Sequence, residues 1–254
     1  MPHNKPYKRL WRPVKGYKNT GWIEVPPPPS IDYLLDDRFV DQREMRSMVT
    51  TAHLIIQDIY EVFNYIEPSD ANLNTYSHRI YELLLRTSTE FESNCKAILS
   101  SNGYHTPSNF TIQHYFKITQ FAKLSEYKVT FDRWSTNRIF QPFAAWNTRT
   151  YSALPWYQAY NNVKHNRYSN FNQANMEHLM NAISGLLCIL HAQYGENMAD
   201  ACFEGIYPSQ ESEAKVSTGT FEISTPTFPE ADMYDFNWND LKTDPTPILP
   251  FNFV

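Results

Sequence analysis

Glycine is scarce in this 254-residue chain and cysteine scarcer still, and each shortage narrows what the protein can be. The 7 glycines form no glycine-rich loop, so there is no Walker loop, no dinucleotide fingerprint and no Gly-x-Ser-x-Gly elbow. The three cysteines, Cys95, Cys188 and Cys202, are odd in number, widely spaced and without a Cys-x-x-Cys pair. That excludes a zinc knuckle and a disulfide framework. Cys95 and Cys188 fall inside apolar helical patterns and read as buried small hydrophobes. Glu-x-x-His and His-Glu-x-x-His are both missing, so no metal and no cofactor is expected. The longest greasy run, around Leu186 to Leu190, is far too short to span a bilayer, and no apolar stretch follows the first charges. No membrane is expected, and a reducing cytoplasm is the expected compartment.

What is abundant is aromatic. Tyr, Phe and Trp make up 15% of residues, hydrophobic residues 42% and charged residues 19%, enough apolar material for a sizeable core. Most of the rings should fill helix interfaces, the remainder lining recognition surfaces. Net charge is −5, so no diffuse basic surface holds the protein to nucleic acid. The charge is uneven, however. Lys5, Lys8, Arg9, Arg12, Lys15 and Lys18 stand among Tyr7, Trp11 and Tyr17 with no acid between them. The end of the chain is rich in Glu211, Glu213, Glu222, Glu230, Asp232, Asp235, Asp240 and Asp244. A basic-aromatic arm can bind phosphate and stack on bases, hang in solvent, or dock on its own acidic end.

Apolar periodicity predicts an all-α helical bundle of about five helices. The first runs from about Asp37 to Ile66, with Met45, Val49, Ala52, Ile56, Ile59 and Phe63 on one face. A second, Thr75 to Ser101, carries Tyr76, Ile80, Leu84, Phe91, Cys95 and Ile98 and ends before Gly103. The third, Thr111 to Leu124, is weaker. Lys128 to Trp146 reads as a short hairpin or an irregular aromatic loop. Pro155 opens a fourth helix, Trp156 to Tyr168, and the fifth spans Asn172 to Tyr194. Residues 1–36, with the tetraproline run Pro26–Pro29, read as a basic, Pro-rich extended lead-in. Residues 37–200 are the helical domain. Residues 201–254 form an acidic Ser/Thr/Pro-rich extension with a short strand at Thr220–Ile223, expected to wrap the bundle or hang loose.

The densest chemistry lies between Trp156 and Arg167. At 100° per residue, Trp156, Ala159, Tyr160 and Val163 face the core. Tyr157, Asn161, Lys164, His165 and Tyr168 make a neighbouring stripe, and Gln158, Asn162 and Asn166 point outward. A row of amide, cation, imidazole and phenol beside an apolar wall can hold a titrating histidine near phosphate-binding groups. The same row can equally be polar groups satisfying one another at a packing seam.

The segment Tyr160-Asn161-Asn162-Val163-Lys164-His165, followed by the leucine-rich helix Ala174 to Leu190, resembles the C-terminal half of a HEPN domain. Arg79 to Glu92 is similar to the acidic helix that precedes the signature in bacterial HEPN-like proteins. The resemblance covers roughly residues 40–195 and implies a helical bundle that pairs with a second copy as a homodimer. In catalytic members, an Arg-x(4–6)-His motif from each protomer forms a composite, metal-independent RNA-cutting site. There the histidine moves protons while the arginine stabilises the phosphorane.

His165 matches the family histidine and Asn161 the polar residue of the motif, but the three arginine slots hold Gln158, Ala159 and Tyr160. Lys164 and Arg167 flank the histidine and can supply the charge, as can Arg86. Arg46 with His53 is the strict match elsewhere, at a frequency chance accounts for. By resemblance, then, His165, Asn161, Lys164 and Arg167 would be catalytic, with Tyr157, Tyr160, Arg86 and Glu90 binding substrate. Glu90 would face Lys164 or Arg167, or simply solubilise the surface. The implied roles are a ribonuclease of the toxin–antitoxin or antiviral-defence type, partnered by RNA and an antitoxin, or a non-catalytic module binding a nucleotide, RNA or protein.

Overall fold

The computed structural model describes residues 4–15, 32–106, 109–195, 198, 215–217 and 219–253. Tyr17, Lys18, the run Pro26–Pro29, Cys202, Glu211 and Glu213 lie outside them. Helix α1 spans Gln42–Phe63, shorter at both ends than its apolar pattern. Asp41 stops it at the start, its carboxylate accepting the backbone N–H groups of Arg43 and Glu44. Those are two donors a helix leaves unpaired. Ser77 does the same for α2, His78–Ser101, by accepting from Ile80 N. Tyr76 therefore stands outside α2, half exposed rather than on its apolar face. Asn175 caps α7, Met176–Tyr194.

α7 is the axis of the fold. Only Glu177, His178 and Asn181 of its residues escape burial, and α2, α5 (Pro155–His165) and α1 pack around it. At Gly185 the close approach of α5 leaves a methyl group pressing on Trp156. α7 ends at Gly195, whose φ of 57° suits glycine and over which the Trp11 ring lies too close for any side chain.

The third expected helix is two, α3 (Ile112–Phe116) and α4 (Thr119–Ala122). Each is too short to persist alone and is held by burial of Tyr115, Ile118 and Phe121. The fourth breaks at Asn166, whose φ and ψ of −146° and 78° leave the helical region. Its side chain accepts from Ser169 N and starts α6, Arg167–Asn170.

The molecule is mostly helical, but not wholly so. Strand β1 (Lys128–Phe131) pairs antiparallel with β3 (Phe221–Ser224), and β3 with β2 (Lys215–Ser217), in the order β1-β3-β2. The local return of the chain is a single bridge, Val129 to Phe140.

The basic arm takes the third of its three readings: it docks on the acidic end. Lys8 N donates to Leu249 O, Leu249 N to Pro6 O, and Lys15 N to Tyr234 O. Lys5 pairs with Asp244 and Lys15 with Asp235, both at 2.8 Å. Arg9 is buried and pairs with Glu44 on α1. Leu10, Val14, Tyr234 and Trp238 (in α8, Trp238–Leu241) belong to the same core as the helices. Cys95 and Cys188 are buried and free. Among the described residues no helix is long and apolar enough to cross a membrane.

Candidate functional site

α5 carries the predicted row from the buried Tyr157 out to the exposed Lys164 and His165. Trp156, Ala159, Tyr160 and Val163 are buried as the wheel places them, and Gln158, Asn162 and Asn166 are exposed. Lys164 and His165 occupy its last turn, where a cation complements the partial negative charge of a helix C-terminus. The His165 ring is open to solvent, and among the described residues no side chain bonds it. Asn161 is half-buried. The break at Asn166 takes Arg167 and Tyr168 out of the α5 register, and Tyr168 is 98% exposed.

Inward of His165 lies a compact polar knot. Tyr157 Oη donates to Glu92 Oε1 at 2.7 Å, and Lys96 Nζ lies 3.5 Å from Glu92 Oε2. Lys164 Nζ donates to Tyr160 Oη at 2.8 Å, a bond that raises the affinity of the ammonium for its proton. Burial, then the bond to Glu92, raises the Tyr157 phenol far above its ordinary value, so it stays a donor. Tyr115 is shifted the same way by burial. Removing the Tyr157 hydroxyl (Tyr157→Phe) leaves a largely covered carboxylate short of a donor. A loss of about 2 kcal/mol is expected, read from the urea midpoint, with the helical content unchanged.

The carboxylate facing this row is thus Glu92, two residues on from Glu90 and roughly 200° around α2 from it. Glu90 is half-buried, and its backbone carbonyl accepts from Asn94 Nδ2. Arg86 is not brought to the row; with Arg79 it is drawn to Asp58 on α1. Arg167 turns the other way, its guanidinium 5.3 Å from the centre of the Tyr81 ring and 5.5 Å from that of Phe171. Of the eight predicted site residues, the structure gathers Tyr157, Tyr160 and Lys164 in one knot. His165, Asn161 and Arg167 lie along the surface beside it.

Sequence reasoning missed Glu92, Lys96 and Tyr115, although Glu92 and Lys96 stand at the i, i+4 spacing of a helical ion pair. It also missed Phe171. One signal was available: no Asp or Glu occurs between Asp132 and Glu177, while Arg133, Arg138, Arg149, Lys164 and Arg167 all do. In a chain of net charge −5 that stretch is locally basic, although the fold answers Arg138 with Asp70 and Glu177 and sets Glu92 behind Lys164.

A cavity of about 290 Å³ opens elsewhere, at the β1–β3 end, lined by Asp132, Asn137, Thr220 and Glu222 among others, and holds none of the predicted residues. Among the described residues, no three His, Cys, Asp or Glu side chains gather closely enough to hold a metal ion. No family model, curated protein or solved structure matches the chain.

Proposed function

We propose that this protein is a HEPN-like module that binds RNA at the outer end of α5 and α6 and does not cut it. One observation carries the reading. Lys164, His165 and Arg167 form an exposed basic edge, while the slots that would hold a catalytic arginine contain Gln158 and the buried Ala159 and Tyr160. Arg167 meets rings and no carboxylate among the described residues, and Lys164, hydrogen-bonded to Tyr160 with Glu92 behind it, keeps its ammonium at the exposed end of α5, where phosphate can reach both. Without a guanidinium set against the imidazole, the phosphorane charge of a cleavage transition state has no fixed counter-charge. Binding then outlives catalysis.

Incubating the protein with total RNA, beside its variants, tests this. Lys164→Ala with Arg167→Ala is expected to weaken binding about tenfold at low salt and to reduce the salt slope by roughly two. His165→Ala should bind within about twofold of wild type, and RNA lengths should not change.

The opening of His165 to solvent, beside two cations, favours a second reading in which a second copy brings its own histidine and the paired site cuts. Metal-independent products with cyclic phosphate ends, abolished by His165→Ala, would establish that reading in place of the first. A toxin or defence role belongs with the cutting reading.

A further inference from the structure

Most of the large apolar side chains among the described residues are buried, which makes the exceptions informative. One group of them surrounds Phe171, in the turn between α6 and α7. Tyr76 meets the Phe171 ring edge-on with centroids 5.5 Å apart, His78 lies at 4.9 Å and Tyr81 at 6.0 Å. Tyr76 is 49% exposed, His78 is exposed, and Tyr81 and Phe171 are half-buried. The Arg167 guanidinium sits against both Tyr81 and Phe171. The nearest cation on α2, Arg79, is already answered by Asp58 and Glu82. Arg167 is held by rings instead.

Half-wet rings forgo part of the stabilisation that burial gives. Tyr76, caught by a bridge to Asn175, is kept at the surface although a buried position would stabilise the fold more. A shelf of aromatic edges and faces around one guanidinium, with no carboxylate on it among the described residues, has a specific complement. It needs flat π-systems joined by an anionic backbone, and unpaired nucleotides offer both. A duplex offers only the backbone, since its bases are already stacked on one another.

We infer that Phe171, Tyr76, His78 and Tyr81, with Arg167, form a stacking platform for the bases of single-stranded RNA. This rests on the RNA-binding reading above and narrows its substrate. Lys164 and the exposed end of α5 hold the phosphates, and Arg167 joins the two parts by lying against the rings on one side and water on the other.

The test is fluorescence anisotropy with a labelled oligoadenylate of about twelve nucleotides, chosen because adenine stacks strongly, free or annealed to oligouridylate. The free strand is expected to bind at least tenfold tighter than the duplex. Phe171→Ala and Tyr76→Ala should each weaken the free strand roughly tenfold and leave the duplex unchanged, while Phe171→Trp retains binding. Tyr76→Ala removes a half-exposed side chain, so it remains decisive if Phe171→Ala unfolds; thermal melts of both variants identify that case. Equal binding of strand and duplex overturns the platform. So does wild-type affinity in the two alanine variants alongside loss in Lys164→Ala with Arg167→Ala, a result that leaves the RNA-binding reading standing. Binding of neither RNA removes that reading and the platform together.

Discussion

Arg12→Ala should lose roughly 3 kcal/mol of stability, measured as a lowered urea midpoint with little change in slope. The guanidinium donates to Asp232 O at 2.8 Å and to Phe121 O at 3.0 Å, and it lies 3.7 Å above the centre of the Phe121 ring. One side chain therefore ties the arm to α4 and to the acidic end, with only 5% of the residue in water. Burial lowers the pKa of Arg12, but a guanidinium keeps its proton at any pH the fold survives. Truncation leaves two carbonyls without their donor and a cavity against Phe121. Such losses cost more than the net worth of the bonds, because the carbonyls stay away from water. Lys5 and Lys15, whose ion pairs with Asp244 and Asp235 lie at the edge, should behave differently. Their alanine variants are expected to shift the midpoint little, and less still at high salt. If Arg12→Ala melts like wild type, the arm does not belong to the folding unit.

That contrast shows where the sequence was readable. The long helices were legible because burial of one face writes a 3.6-residue period into Val49, Ala52, Ile56 and Ile59, and into Leu83, Leu84, Phe91 and Cys95. Their ends were misread by a few residues wherever a polar side chain competed with the backbone, as at Asp41, Ser77, Asn166 and Asn175. β1 was ambiguous because its partner, β3, lies about ninety residues on, and no local pattern records a pairing of that separation. Arg9 and Arg12 looked like surface charge by composition. Only the fold supplies the Glu44 carboxylate and the Phe121 and Asp232 carbonyls that make their burial affordable.

The site was legible to the extent that it lies on one helix. The wheel put Tyr160 and Val163 inside and Asn162 outside, and the structure agrees. It failed where the helix stops, since Arg167 and Tyr168 follow a break that a wheel carries straight through. Contacts made across the bundle were beyond it. Tyr157 to Glu92 spans 65 positions, and Arg86 turned to Asp58 because α1, unlike α5, offers it a carboxylate. The Phe171 shelf gathers residues from the start of α2 and the turn before α7, two segments whose proximity follows from the Tyr76–Asn175 bridge.

Stability should fall by about 2 kcal/mol as the pH is lowered from 7 to 5, and His191→Gln should abolish most of that loss. His191 is buried in α7, with Nδ1 in a 2.9 Å hydrogen bond with Tyr127 Oη and the edge of Trp11 against its ring. Burial pushes its pKa down to about 3, against 6.5 for the free side chain. The folded ring is therefore neutral across this range, whereas the unfolded chain takes up a proton once the pH passes below 6.5. Each further unit of acid then favours the unfolded state by about 1.4 kcal/mol, until the folded ring also titrates near pH 3. The carboxylates with depressed values, Asp36 beside Arg38, Asp41 at the start of α1, Asp70 beside Trp134 and Asp244 beside Lys5, add to the loss only below about pH 4, so the window from 6.5 to 4.5 isolates the imidazole. Glutamine keeps a polar atom for Tyr127 and has no proton to bind. Urea midpoints at pH 7, 6 and 5 should thus fall steeply for the wild type and stay nearly level for His191→Gln. Parallel slopes in the two proteins would mean that the folded ring binds its proton as readily as the unfolded one, and would overturn the argument from its burial beneath Trp11.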